Sequence, residues 1–278
     1  MTTTAVRGRP RTTGVGSFLL VTALLSWGPW GAALVLGGDI ADPLVWALYG
    51  VGGFGPTLAA GVMRLVEGPG ERQVRWRSAA GWGPVALLLG AGPAVVAALV
   101  GPLLGGPPAD LAAAGGTVAR LGGVLPLLAV FLVAGPLAEE FGWRGYLQPR
   151  LRRTLSPART ALAVGMAWAV WHVPLFLLTG TGQAEIGLFT PVALGFFVAM
   201  VPLSVAYWFV SERLRGGVPA AVLTHLAGNL ALTLLAVTTS AVGGVLYLIT
   251  VVLVAGLLLL VARPRDVLTG AVGTGRAG

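Results

Sequence analysis

The stretch LGGVLPLLAVFLVAGPLAEEFGWR, residues 121–144, decides how this chain is read. From Leu121 to Leu137 it is apolar enough to cross a bilayer, whose hydrocarbon takes about 20 residues of helix. Glu139 and Glu140 close the run, in a chain that holds only 10 acidic residues among 278. Arg144 follows four positions after the second. An ionisable side chain at bilayer depth costs about 2.5–3.5 kcal/mol on insertion scales and is by default a functional hypothesis.

The rest of the composition agrees with a membrane setting. The chain is 56% hydrophobic and 10% charged, with a mean hydropathy of +0.86. A soluble domain carries roughly a quarter charged residues. Continuous apolar runs point to helices and not to a closed β-barrel, whose strands alternate. The 43 glycines and 19 prolines are tolerated in membrane helices, where small residues allow close approach. The absence of cysteine excludes disulfides, thiolate metal sites and a cysteine nucleophile. A net charge of +8 raises nucleic acid as a partner, but the arginines sit in short connections between apolar runs. They report topology, and no nucleic acid is expected.

Eight spans are predicted, over approximately 17–37, 44–66, 80–104, 119–139, 158–179, 188–210, 218–238 and 241–262. The fold class is therefore all-α, polytopic and membrane-embedded. Arginines alternate strictly. Arg7, Arg9 and Arg11 precede the first span; Arg72, Arg75 and Arg77 join the second to the third. Arg150, Arg152, Arg153 and Arg159 join the fourth to the fifth. Arg213 and Arg215 join the sixth to the seventh, and Arg263, Arg265 and Arg276 follow the eighth. The other connections hold acidic residues or no charge, so the positive-inside rule puts both termini in the cytoplasm. The N-terminal run is read as a retained helix and not a cleaved signal. The organisation expected is a cytoplasmic tail over 1–16, one transmembrane domain over 17–262 and a disordered tail over 263–278. Residues 105–116 and 180–187 are expected as outer loops.

Few polar side chains lie inside these spans. The only two histidines, His172 and His225, are both intramembrane, and Asn229 lies one turn after His225. Glu140 and Arg144 share a face and are predicted to pair. Glu139 points about 100° away and is expected unpaired, facing a cavity as general base. Pro136 should bend the helix just before them. Trp168 shares a face with His172, and His225 with Asn229. Carboxylate, histidines and amide suit water activation and stabilisation of an oxyanion. The absence of G-x-S-x-G and H-E-x-x-H leaves a serine nucleophile and a helical zinc motif without support. A two-His, one-carboxylate metal site from three helices stays open. So do a non-catalytic binding or scaffold protein and an ion-coupled transporter, although no internal repeat favours the latter.

Glu139-Glu140-x-x-x-Arg144, then Trp168-x-x-x-His172, then His225-x-x-x-Asn229 resembles the CPBP (Abi, CAAX-protease-like) intramembrane endopeptidases, in motif order and in the eight-helix layout. The likeness covers roughly residues 119–238, and Trp168 stands where the family usually has Phe. The resemblance implies hydrolysis of peptide bonds of a membrane-anchored protein or peptide from a cytoplasm-facing cavity, in the bacterial-type plasma membrane. It implies that Glu139 and His172 activate water, that His225 and Asn229 hold the oxyanion, and that Glu140 and Arg144 support the first motif. A metal-free mechanism is favoured because Asn229 suits a donor better than a ligand. Zinc on Glu139, His172 and His225 is the alternative. Nothing in the sequence marks a prenyl-binding groove or an oligomeric state.

Overall fold

In the computed structural model, residues 14–67 and 78–262 are described; the arginine clusters at 7–11, 72–77 and 263–276 and most of both predicted tails lie outside them. Among the described residues the regular structure is helical, apart from one isolated bridge between Asp39 and Thr179. Among the described residues seven elements are long and apolar enough to cross a membrane, and a bent pair is an eighth if it crosses as one span. The chain is an all-α, multi-pass membrane protein.

The helices are α1 (Val15–Val35), α2 (Pro43–Gly53), α3 (Gly55–Glu67), α4 (Ala79–Val100) and α5 (Leu111–Arg120). They continue with α6 (Val124–Leu151), α7 (Pro157–Trp171), α8 (Gly182–Ile186), α9 (Pro191–Trp208), α10 (Gly217–Leu235) and α11 (Ala241–Val261). Their starts follow local chemistry. Asp42, Asp110, Ser156, Thr190 and Ser240 each accept a hydrogen bond from a backbone N–H of the first turn. Pro43, Pro157 and Pro191 open their helices, where a missing N–H costs nothing. Two of the acidic residues expected in connections are thus helix caps.

Three spans differ from expectation. The second span is not continuous: α2 and α3 meet at 50°, where Gly53, Phe54, Gly55 and Pro56 interrupt the backbone ladder. The fourth span does not begin at 119. Gly122 and Gly123 both have positive φ and separate α5 from α6, so the predicted outer loop at 105–116 is partly helix. Nor does it end at Glu139, because α6 runs on to Leu151. Finally, α7 stops at Trp171, with His172 as its cap and a 3-10 turn over Val173–Leu177. Pro174 cannot supply the N–H that an α-helix would need there.

Small residues set the packing. A Cβ on Gly90 of α4 would lie 2.3 Å from the Thr224 carbonyl of α10, and one on Gly165 of α7 would lie 2.6 Å from Val201 Cα of α9. Only glycine permits these crossings. Aromatic contacts join the N-terminal helices to the centre. Phe18 stacks on Tyr146 at 4.7 Å and meets Trp143 edge-on at 5.9 Å. Trp171 donates to Ser26 Oγ at 2.7 Å, and Trp27 donates to the Trp171 carbonyl at 3.1 Å. Ion pairs Glu67–Arg150 and Glu212–Arg152 bring the ends of α3, α6 and α9 together at one end of the bundle.

Candidate active site

Glu139 and Glu140 lie in the middle of α6, bracketed by π turns at Val133–Leu137 and Trp143–Leu147. Pro136 lies in the first and lacks the N–H that the preceding turn would use. A π turn is a common way to absorb that loss and occurs often at functional sites. The helix continues past two carboxylates because their charge is answered inside the bundle and not by solvent.

Glu140 accepts from Arg144 Nη1 at 3.0 Å, with both side chains fully buried. The same oxygen, Oε1, lies 2.7 Å from His225 Nδ1 on α10. One carboxylate oxygen therefore serves both partners, and the second was not foreseen from spacing. An ionised carboxylate only accepts, so the His225 proton on that side sits on Nδ1 and Nε2 is the free end of the ring. Arg144 is held further by Ser204 Oγ at 3.4 Å. Its guanidinium lies between the rings of Trp168, at 4.5 Å, and Tyr207, at 4.0 Å. Cation–π contacts gain strength when desolvated.

Glu139 is not unpaired. Trp168 Nε1 donates to Glu139 Oε2 at 2.5 Å, which replaces the expected free carboxylate with one whose rotamer is held from α7. The indole reaches it because Trp168 lies one turn before the end of α7, facing inward. The backbone carbonyl of Trp168 lies 2.8 Å from His172 Nδ1, and its ring lies 5.8 Å from the imidazole. A carbonyl accepts, so His172 carries its proton on Nδ1 and leaves Nε2 as an acceptor while neutral. Trp168 thus joins Glu139 and His172; among the described residues no direct hydrogen bond does.

His225 and Asn229 both face the π turn of α6. A Cβ placed on Gly135 would lie 3.1 Å from Asn229 Nδ2 and 3.5 Å from His225 Nε2. All six predicted side chains therefore fall in one centre, built by α6, α7 and α10. Among the described residues the centre is closely packed. Glu139, His172 and His225 are only 5 to 7% exposed, because Trp168 and Tyr207 fill the space between them. Asn229 and Gly135 remain partly exposed. An apolar groove of about 320 Å³, lined by Met166, Val170, Phe197 and Val201 among others, lies outside the centre between α7 and α9.

Zinc on Glu139, His172 and His225 requires three ligand atoms around one point. Among the described residues no three His, Asp or Glu side chains gather as a metal-ligand set, and Glu139 Oε2 is engaged by the indole. The zinc alternative does not fit this arrangement of residues. Two contributors went unread in the sequence. Ser204 and Tyr207 are three apart on α9, so they share a face and both touch Arg144. That polar pair in an apolar span was the available signal.

The family model described as "Type II CAAX prenyl endopeptidase Rce1-like" matches residues 121–231, an interval that includes every side chain of the centre. A protein of Methanococcus maripaludis named CAAX prenyl protease 2 is 30% identical over 115 residues. That alignment takes in 41% of this chain and 42% of the relative, so it spans less than half of either. Over residues 121–231 the chain is similar to the CPBP, or CAAX-protease-like, membrane endopeptidases.

Proposed function

We propose that the chain is an intramembrane endopeptidase that cuts membrane-anchored proteins or peptides, with Glu139 as general base. The observation that carries the proposal is the meeting of a buried carboxylate, two histidines and an amide from three helices. In this reading Glu139 takes a proton from water as the water oxygen attacks the peptide carbon, and His172 Nε2 helps to orient that water. The carbonyl oxygen becomes an oxyanion held by Asn229 Nδ2 and His225 Nε2. Glu139 then passes its proton to the departing nitrogen as the C–N bond breaks.

The geometry attaches a condition to His225. With Nδ1–H directed at Glu140, the ring donates from Nε2 only as an imidazolium. Glu140 lies against Arg144 and His225 together, so its carboxylate faces the Nδ1 side of the ring. If the ring is neutral, Asn229 is the sole donor of the pair. The working unit is the transmembrane domain over 17–262, in the plasma membrane, with both termini and the centre toward the cytoplasm. Its partners are the bilayer and a membrane-anchored substrate.

The low exposure of Glu139 favours one competing reading, a non-catalytic binding or scaffold protein that keeps the centre for packing. Cleavage of a reconstituted library of single-span peptides separates the two. Wild type is expected to cleave, and Glu139→Gln and His172→Ala are expected not to, with helicity and elution volume retained. Equal cleavage by all three removes the assigned roles. No cleavage by wild type favours the scaffold reading.

A further inference from the structure

The glycines at helix crossings differ in what a side chain would meet, and some, such as Gly52 and Gly55, face single side chains, those of Trp30 and Ser26. Gly90, Gly142 and Gly165 press on a neighbour's backbone: the Thr224 carbonyl, the Pro56 carbonyl and Val201 Cα. Gly135 is different, because the atoms nearest its missing Cβ are Asn229 Nδ2, His225 Nε2 and His225 Cε1, at 3.1, 3.5 and 3.9 Å. No neighbouring backbone approaches that point. Glycine is not required there by conformation either, since Gly135 is absent from the positive-φ positions of the described chain. Within a helical turn it is less favourable than alanine. What glycine supplies at 135 is room beside two side-chain nitrogens, neither of which has a hydrogen-bond partner among the described residues.

From this geometry we infer that Gly135 is the positioning residue for the substrate carbonyl. Its bare Cα is one wall of a slot in which Asn229 Nδ2 and His225 Nε2 hold the oxygen of the scissile peptide bond. An acceptor at the position of the missing Cβ would lie within reach of both nitrogens, and a methyl group there takes that position and lies tight against Asn229 Nδ2. Gly135 and Asn229 are partly exposed, whereas Glu139 is buried, so of these groups the slot is the more open to an extended peptide backbone. The slot rests on the endopeptidase reading and assigns it a residue that takes part through absence of a side chain.

The test uses the full chain in phospholipid vesicles and one single-span peptide that wild type cleaves. Gly135→Ala is expected to lower kcat about 100-fold, the size of losing an oxyanion donor. KM should stay within about 3-fold, as for an interaction made in the transition state. Gly195→Ala, on the open face of α9 where a Cβ meets nothing within 4 Å, should leave cleavage unchanged. In an Asn229→Gly background the Cβ has lost its nearest neighbour, so Gly135→Ala should add less than about 3-fold to the loss already present. Near wild-type cleavage by Gly135→Ala overturns the slot while leaving the endopeptidase reading intact. An equal loss in both backgrounds also overturns it, because packing alone then explains the effect. Should the single variant not fold, the comparison of Asn229→Gly with its Gly135→Ala double decides alone, with a further loss overturning the slot. No cleavage by wild type removes the endopeptidase reading and the slot with it.

Discussion

Helix α6 carries two clusters with the same ingredients and different consequences. In the first, Glu140 and Arg144 pair at 3.0 Å with no exposed side-chain surface, and the guanidinium lies over Trp168 and Tyr207. In the second, Arg150 pairs with Glu67 at 2.5 Å, and its guanidinium lies 3.4 Å over the ring of Tyr146. Tyr146 completes that cluster by donating to Glu67 at 2.9 Å. Here, however, the arginine and carboxylate side chains are 17% and 28% exposed. Water screens the second cluster and leaves the first unscreened. The comparison teaches that carboxylate, arginine and aromatic ring together do not make a site; burial and a further polar partner do. His225 is that partner in the first cluster.

The largest effect should come from breaking the buried pair. Glu140→Ala or Arg144→Ala leaves an uncompensated charge and should cost about 3–5 kcal/mol, read as a lowered midpoint of unfolding in a mixed-micelle SDS titration. Replacing both by methionine should be less costly than either single change, because matched apolar side chains remove the desolvation penalty as well. That double variant should still be inactive, which would separate folding from chemistry within one cluster. If both single variants unfold like wild type, the contrast drawn above fails.

Trp168→Phe comes next. It keeps the ring under Arg144 but removes the N–H that Glu139 accepts. A hydrogen bond to a charged group contributes about 1.5–3 kcal/mol, so kcat should fall by roughly 10- to 150-fold while KM changes little. An equal rise in KM would instead assign Trp168 to substrate binding. The smallest effect belongs to the outer cluster. Glu67→Ala should cost no more than about 1 kcal/mol, as for exposed ion pairs, and leave peptide cleavage as it was. A loss comparable to that of Glu140→Ala would show that the bundle end is as unscreened as the centre.

Much of this was readable before any coordinates. Apolar length located seven spans and the bent pair α2–α3, because lipid leaves few options for a backbone that must satisfy its own hydrogen bonds. The spacing of Glu140 and Arg144 announced their contact. Long-range pairing was not readable. Nothing local to Trp168 says that its indole will turn to Glu139, and nothing near His225 says that Nδ1 will reach Glu140. Each contact depends on the rotation of one helix against another, set by glycine crossings such as Gly90 on Thr224 and Gly165 on Val201. The end of α6 was misjudged for a related reason. Charge at the end of an apolar run usually marks the exit from the membrane, whereas here Glu140 is paired within the bundle.

Gly142 lies within one turn of both carboxylates, and a Cβ there would sit 2.4 Å from the Pro56 carbonyl of α3. Pro56 belongs to the bent second span, well outside residues 121–231. Shared ancestry and mechanical integrity are therefore drawn along different borders in this molecule. A fragment cut to the recognisable segment would lose the wall against which the carboxylate helix is seated. Transplanting that segment into another scaffold would need a replacement surface equally flat at Gly142.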